Sequence, residues 1–367
     1  MSYFIFNQQQ IPYNSLANVS QKQQDTLSYN QQQALNIALQ WQNGEDTFVV
    51  HTSGSTGQPK PIEWKRKFIE KSAKQTLDVF DIQPEDKILL CLSVQTAGGI
   101  MMLIRGIIAN LPIAVVEPSG NPLATISAQH SYTLASFVPL QMHHMLTGYD
   151  FSSVQKLNKF RKVLVGGASM NNDWSKRFTD LDPDFYHTYG MTETYTHIAL
   201  RKLNGEKATP RFVPMKGIQV SKDREERLVI NGEITGYADI VTNDRVIIHT
   251  DGSFEILGRI DNVINSGGIK IQLEKIDNAL ARLKQLAGRT YFTWYVDDKE
   301  LGQKLIAIIK GEPLDPMDEY EAKVDLRSFL EKYEVPKVFY YINEFVLTDS
   351  GKVQRQHTAD KVLQQNK

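Results

Sequence analysis

Apolar residues recur along most of the chain with two alternating periods, and that alternation sets the expected fold. The run Thr47-Phe48-Val49-Val50 reads as a strand, and Ile69, Ala73, Leu77 and Phe80 then fall at helical spacing. Residues 87–92 read as a strand, 100–108 as a buried helix and Ile113-Ala114-Val115-Val116 as a further strand. Ala135-Ser136-Phe137-Val138, a polar helical stretch, and Val163-Leu164-Val165 before Gly166-Gly167-Ala168 repeat the pattern. Such alternation predicts a parallel sheet with helices on its faces, whose ligand loops lie at the carboxyl ends of the strands. The loop after Val50, Gly166-Gly167 and Tyr189-Gly190 are all expected at such ends.

Past Val213 the texture changes to short β-rich runs at 226–230, 239–241 and 246–249, with an Asp251-Gly252 pair that favours a hairpin. These compose a small β subdomain. After Gly258-Arg259 come a helix carrying Leu273, Ile276, Leu280 and Leu283, strands at 291–296 and 305–309, a helix reaching Leu330 and a strand at 338–342. They form a unit of about 100 residues, an ordinary domain size. The expected fold class is therefore α/β: a large domain over 1–259 of parallel-rich sheets and helices, with the β subdomain from 213, and a small α+β domain over 260–367 on a hinge at Asp261. Near the start, Ala34, Leu35, Ala38, Leu39 and Trp41 have helical spacing. The glutamine clusters at 8–10, 21–24 and 31–33 read as the wet face of surface helices.

Composition narrows the class. The 367 residues, 41% of them hydrophobic, exceed the usual size of one core, as two domains require. Lys+Arg 41 against Asp+Glu 42 leaves a formal charge of -1, which argues against nucleic acid or an anionic membrane as the main partner. No segment approaches the roughly 18 uninterrupted apolar residues of a spanning helix, and residues 1–10 carry no basic stretch leading into an apolar one, so the cytoplasm is the expected address. Cys91, the one cysteine, lies in Ile88-Leu89-Leu90-Cys91-Leu92 and reads as strand core. An intrachain disulfide and a cysteine-rich zinc site are excluded.

The densest chemistry lies in His51-Thr52-Ser53-Gly54-Ser55-Thr56-Gly57-Gln58-Pro59-Lys60. Glycines let backbone N–H groups converge on an anion, while the hydroxyls and Lys60 add donors and charge, so a polyphosphate is the natural guest. The common P-loop needs Gly before its Lys and Ser or Thr after it, whereas Lys60 stands between Pro59 and Pro61. Taken alone, the segment reads equally as a flexible Ser/Gly turn.

Three further signals follow in order: Tyr189-Gly190-Met191-Thr192-Glu193-Thr194, then Gly258-Arg259-Ile260-Asp261-Asn262 leading to Ser266-Gly267-Gly268, and Ser350-Gly351-Lys352-Val353-Gln354-Arg355. With the loop, they resemble the adenylate-forming superfamily that includes acyl-CoA synthetases, luciferases and the adenylation domains of peptide synthetases. The resemblance runs from about Phe48 onward and implies ATP, Mg²⁺ and coenzyme A as cofactor and substrates. It implies that Thr52, Ser53, Gly54, Ser55, Thr56, Gly57 and Lys60 hold the β- and γ-phosphates, and that Gly166, Gly167 and Ala168 with Tyr189 and Gly190 pack the adenine. Thr192 would bond phosphate, and Glu193 would ligate Mg²⁺, a hard cation that takes one or two carboxylates beside substrate phosphates. Asp244, within Thr242-Asn243-Asp244, and Arg259 match the ribose-binding pair. Asp251 is a rival for the acidic role, although its turn already explains it.

Lys352 matches the catalytic lysine. Attack of a carboxylate on the α-phosphate builds charge that a mobile cation stabilises. The resemblance further implies that the small domain swings at Asp261 and brings Ser266, Gly267 and Gly268 to a pantetheine channel.

Thr96, Gly98 and Gly99 align with an acyl-pocket motif in which Gln95-Thr96 stands where a Phe-His pair is usual. Val138-Pro139-Leu140-Gln141 resembles another pocket wall, in the version found in o-succinylbenzoate:CoA ligases of menaquinone biosynthesis. That subfamily is also short, which makes o-succinylbenzoate the expected acid. Another aromatic or small carboxylic acid is the rival. A second carboxylate would need cations or donors, for which Arg105, His143, His144, His197 and Arg201 are candidates. Transfer to a carrier-protein thiol and a silent nucleotide-binding scaffold are the competing classes. Because the phosphate loop begins at residue 52, where many relatives carry more chain before it, either residues 1–46 cover the exposed sheet edge or a second copy does, as a homodimer.

Overall fold

A computed structural model describes residues 3–7, 9–51, 60–147, 151–168, 170, 177–348 and 353–366. β1 (Tyr3–Phe6) and β2 (Gln9–Pro12) precede α1 (Gln21–Gln24), α2 (Tyr29–Gln42), β3 (Thr47–His51), β4 (Pro61–Lys65) and α3 (Arg66–Val79). Then follow β5 (Ile88–Leu90), α4 (Ala97–Ile108), β6 (Ile113–Val115), β7 (Tyr132–Phe137), α5 (Pro139–Thr147), α6 (Phe151–Leu157) and β8 (Phe160–Val165). β9 (Asp184–Gly190), β10 (His197–Lys202) and β11 (Val213–Pro214) complete the first sheet, ordered β11-β10-β9-β8-β7-β5-β6-β1-β2 among the described residues.

The strands from β9 through β1 pair in parallel, with antiparallel strands at both edges. β5 and β6 are buried at every residue, as strands covered on both faces must be. Their side chains divide between two cores: Ile88 and Leu90 join Ile69, Ile100 and Leu134, while Leu89 and Cys91 join Phe137, Met142 and Val163. Gly106 permits close helix–sheet packing, since a Cβ there would stand 2.5 Å from Ile113 Cδ1.

β3 departs from expectation. It pairs antiparallel with β4 in a separate two-stranded sheet and is not a strand of the parallel one. The cause is half-burial: Phe48 and Val50 face the core while Val49 is exposed, which suits a hairpin laid on the surface.

The glutamine reading also needs correction, because Gln9 and Gln10 lie on a strand and Gln31 is buried. Gln31 closes a capping box with Ser28 at the start of α2, and its amide donates to Val115 O at 2.9 Å. Beside it, Asn30 donates to Leu92 O and Val116 O and accepts from Val94 N at 3.0 Å, while Glu117 accepts from Asn30 N at 2.8 Å. The α2 start is thereby fixed to the carboxyl edge of the sheet. β1 extends the same sheet by pairing with β6.

β12 (Ile218–Lys222), β13 (Arg227–Gly232), β14 (Ile240–Ile248) and β15 (Phe254–Arg259) form an antiparallel sheet, whose core residues Phe212, Leu228, Val246 and Phe254 pack with Ile198 and Ala199 of β10. β16 (Val263–Ser266), β17 (Ile269–Gln272), α7 (Leu273–Leu280), β18 (Tyr291–Asp298), β19 (Gly302–Lys310), α8 (Pro316–Leu326), β20 (Val338–Ile342) and α9 (Arg355–Gln365) build the α+β unit. Gln272 Nε2 donates to Arg259 O at 2.8 Å and Arg259 N to Glu274 Oε1 at 3.3 Å, joining this unit to the end of β15. Among the described residues, no helix is long and apolar enough to cross a membrane.

Candidate functional site

β9 ends at Tyr189-Gly190, and the chain turns through Thr192–Thr194 into β10. Tyr195 completes the turn at φ 64° and ψ -45°, with Thr196 N donating to Thr194 O at 2.7 Å. This is a γ-turn in a sparsely populated region for a bulky residue, and such strain persists only where the surroundings hold it. They do so here with aromatic rings: Tyr195 lies 5.2 Å from Trp64 and 5.6 Å from Phe68. Trp64 Nε1 also donates to Thr192 O at 2.9 Å. The hairpin that carries residues 52–60 is thus anchored directly to the Thr192-Glu193 turn. Thr52, Ser53, Gly54, Ser55, Thr56, Gly57 and Lys352 lie outside the described residues. Lys60 is exposed beside β4, and Glu193 is exposed on the turn.

The ring of Tyr189 stands edge-on to Phe254 at 5.5 Å, and its hydroxyl donates to Asp244 Oδ2 at 2.5 Å. Burial and the charge of Asp244 raise the phenol's pKa, which keeps the hydroxyl a donor. Asp244 pairs in register with Arg259 across β14 and β15, with Arg259 Nη1 at 3.6 Å from Asp244 Oδ1. Arg259 also grips Asp261 through two bonds of 2.8 and 2.7 Å. Burial opposes the charge on Asp261, but the hydrogen bonds and charge of Arg259 outweigh it and hold its pKa below the usual value. Asp251 lies elsewhere: it accepts from Ser253 N at 3.0 Å and from Ser253 Oγ at 2.5 Å within its own turn. Of the two acids, the structure brings Asp244 to Tyr189.

Gly166 crosses β9 so closely that a Cβ would meet Thr188 Oγ1 at 2.0 Å, and Gly167 has φ +82°. Ala168 O lies 3.3 Å from His187 Nε2, and His187 Nδ1 lies 3.0 Å from Arg201 Nη2. His187 was not singled out in the sequence. Its signal was a histidine on the buried phase of β9, and its partner Arg201 follows only from the β9–β10 register, which pairs the two residues.

On the neighbouring strand ends, Thr96 caps α4, accepting from Gly99 N at 3.4 Å and donating to Ser93 O at 2.7 Å. Gly99 is obligatory, since a Cβ would stand 2.0 Å from Ser93 O; one on Gly98 would meet Leu92 Cδ1 at 3.1 Å. Gln141, expected on a pocket wall, is buried, and its amide is engaged by backbone: it accepts from Val138 N and donates to Ser119 O and Cys91 O. It braces the strand ends from inside. His143 and His144 sit apart, half-buried and exposed on α5. Ser266, Gly267 and Gly268 form the β16–β17 turn, where Gly267 N donates to Leu301 O at 2.8 Å.

Arg105 is 1% exposed. Its Nη2 donates to Thr196 Oγ1 at 3.0 Å, its Nη1 faces Met102 Sδ at 3.5 Å, and among the described residues its Nε has no hydrogen-bond partner. Among the described residues no carboxylate pairs with it, and burial lowers its pKa to about 9, so it stays charged near neutrality. His197 is buried against Thr76 Oγ1 at 3.1 Å. Among the described residues, no group of three or more His, Cys, Asp or Glu could hold a metal ion. A cation bound mainly by phosphates needs no such group, and the single exposed Glu193 fits one.

Residues 7–237 match the model of the AMP-binding enzyme family. The chain belongs to the AMP-binding enzyme family. A solved member, the acyl-CoA synthetase (AMP-forming)/AMP-acid ligase II-like protein from Dyadobacter fermentans, is 35% identical with a TM-score of 0.59, covering 94% of this chain and 98% of that one. The 2-succinylbenzoate–CoA ligase of Oceanobacillus iheyensis is 24% identical over 85% of this chain and 69% of its own length. A linear gramicidin synthase of Brevibacillus parabrevis is also 24% identical, over 84% of this chain, which spans 4% of that protein.

The buried histidines set a pH dependence. Burial and the charge of Arg201 lower the pKa of His187 to about 3, and burial with Arg105 holds that of His197 well below its usual value. Both are neutral when folded, so as pH falls below about 6.5 the unfolded chain takes up protons first. Stability is complete above that pH and is lost as pH falls toward 3. Urea unfolding between pH 7 and pH 4 checks this. His187→Gln is expected to flatten the slope by about one proton; an unaltered slope contradicts the neutral buried state.

Proposed function

We propose that this protein joins a carboxylic acid to coenzyme A through an acyl-adenylate, releasing pyrophosphate and then AMP. The observation that carries this reading is the convergence of Tyr189, Asp244 and Arg259, from β9, β14 and β15, one strand-end from the Thr192-Glu193 turn. Tyr189 with Gly166, Gly167, Ala168 and Gly190 offers a flat, closely approachable wall for adenine, and Asp244 with Arg259 offers the acceptor and donors that ribose hydroxyls need. Residues 52–57, Lys60 and Thr192 take the phosphates. Mg²⁺ on Glu193 would neutralise phosphate charge.

Lys352 supplies the cation at the α-phosphate, and residues 260–367 turn about Asp261 to withdraw it and present Ser266, Gly267 and Gly268 to the thiol. The Arg259–Asp261 pair is compatible with such a hinge. It is part-exposed on both sides, and exposed ion pairs contribute about 0–1 kcal/mol, little enough for a moving element to give up.

The acid is o-succinylbenzoate or a close dicarboxylate. Equal identity to a succinylbenzoate ligase and to a peptide synthetase leaves the acid open, and Arg105 favours the former. A buried guanidinium without a carboxylate carries a desolvation penalty of several kcal/mol, which the second carboxylate of a bound acid would offset.

Purified protein with ATP, Mg²⁺, coenzyme A and a panel of acids tests the assignment through pyrophosphate release. O-succinylbenzoate is expected to be turned over, and Arg105→Met to raise its KM by about tenfold or more while leaving a slow aromatic monoacid unaffected. Preference for a monoacid, or equal effects on both, contradicts the dicarboxylate reading. Separately, Lys352→Ala is expected to abolish adenylate formation yet spare thioester formation from supplied acyl-adenylate. Equal loss in both steps contradicts the swinging unit.

A further inference from the structure

Behind the strip Gly166-Gly167-Ala168 lies a polar chain with no place in the chemistry derived so far. Arg201 on β10 is 8% exposed, and His187 directly opposite on β9 is 7% exposed. Their short contacts run in one line, from Arg201 Nη2 to His187 Nδ1 at 3.0 Å and from His187 Nε2 to Ala168 O at 3.3 Å. A guanidinium can only donate. His187 Nδ1 must therefore accept, which places the imidazole proton on Nε2 and aims it at the Ala168 carbonyl. Phe212 closes the side, with its ring 5.1 Å from that of His187 and 5.2 Å from the guanidinium carbon.

A position that served only to fill the core would not carry this arrangement. Among the described residues Arg201 Nε is buried without a hydrogen-bond partner, and its Nη1 reaches Pro210 O at 3.5 Å. The carboxylate nearest in influence, Glu255, is engaged by His249 at 2.9 Å and Arg211 at 3.6 Å. An apolar residue at 201 would avoid the desolvation penalty. The charge does one thing a Leu could not, which is to fix the tautomer of His187 and with it the direction of the Ala168 carbonyl. Ala168 and Gly167 are exposed at the strand end, and Gly167 adopts φ +82°, a conformation that glycine takes without a side-chain penalty.

We infer that Arg201 and His187 are positioning residues for nucleotide recognition: they lock the Ala168 carbonyl so that the 166–168 strip presents one fixed edge to the base. The inference rests on the proposed role of that strip as the adenine wall. Losing the lock frees the strip to rotate its peptide groups, so nucleotide affinity and base selectivity fall while the reacting groups on the 192–194 turn stay in place.

Calorimetric binding of AMP and GMP, together with steady-state kinetics, tests this on His187→Leu, Arg201→Met and His187→Gln in the full chain. The Leu and Met variants are expected to weaken AMP binding and raise KM for ATP by about tenfold, the scale of one unsatisfied buried polar group. Their kcat and KM for the acid should change by less than about threefold, and AMP-over-GMP selectivity should shrink. His187→Gln, which keeps one acceptor and one donor, should recover most of the AMP affinity. Equal AMP binding in wild type and all three variants overturns the pair while leaving the proposed function intact. A fall of kcat together with a rise of both KM values, unrescued by Gln, also overturns it, because that pattern marks general disruption. If the wild type binds no adenine nucleotide, the proposed function itself fails, and the pair with it.

Discussion

The Thr196 carbonyl and the His197 Cα occupy the space where a side chain on residue 190 would stand, at 2.1 and 2.5 Å from an ideal Cβ. That close approach lets β9 turn into β10 within a few residues, through the γ-turn at Tyr195. Much of the carboxyl edge depends on it. The Tyr195 ring inserts toward Trp64 and Phe68, tying the β3–β4 hairpin to the Thr192-Glu193 turn, and Thr196 is left pointing its hydroxyl at Arg105. The same turn sets the β9–β10 register, which puts Arg201 opposite His187 and Leu200 opposite Thr188. A one-residue slip would move every one of these side chains to the other face.

Two buried guanidiniums that pair with no carboxylate among the described residues distinguish this edge from an ordinary core. Burial, with the charges of Arg105 and Arg201 adding to it, keeps the neighbouring histidines His197 and His187 neutral. The chemistry each pair serves differs. Arg105, on the helix capped by Thr96, is the residue proposed to meet an anionic group of the acid, whereas Arg201 is proposed to act through His187 on the strip that would meet the base.

Much of this was legible in the chain. The strand–helix alternation between residues 87 and 165 stood out because strands buried on both faces are apolar throughout. Gly190 was legible through its motif neighbours. The misplaced features share one physical cause, which is that they depend on partners distant in sequence. β3 alternates like any half-buried strand, and nothing within it says that β4, not the parallel sheet, will be its neighbour. Gln31 looks like a solvated residue until the α2 start docks on Val115 O. Gln141 sits in a motif that implies a pocket wall, yet three backbone groups claim its amide. His187 and Arg201 acquire meaning only as a cross-strand pair.

Asp244, held between the Tyr189 hydroxyl and Arg259, is the proposed seat of a ribose, and the proposed nucleotide site centres on it. Calorimetric comparison of AMP with its 2′,3′-dideoxy analogue tests that seat most directly, in wild type and in Asp244→Asn. The wild type is expected to bind AMP about tenfold or more tightly than the dideoxy analogue, the scale of a hydrogen bond to a charged acceptor, and Asp244→Asn to erase most of the difference. Equal affinity for the two nucleotides in the wild type, or discrimination that survives in Asp244→Asn, would contradict it.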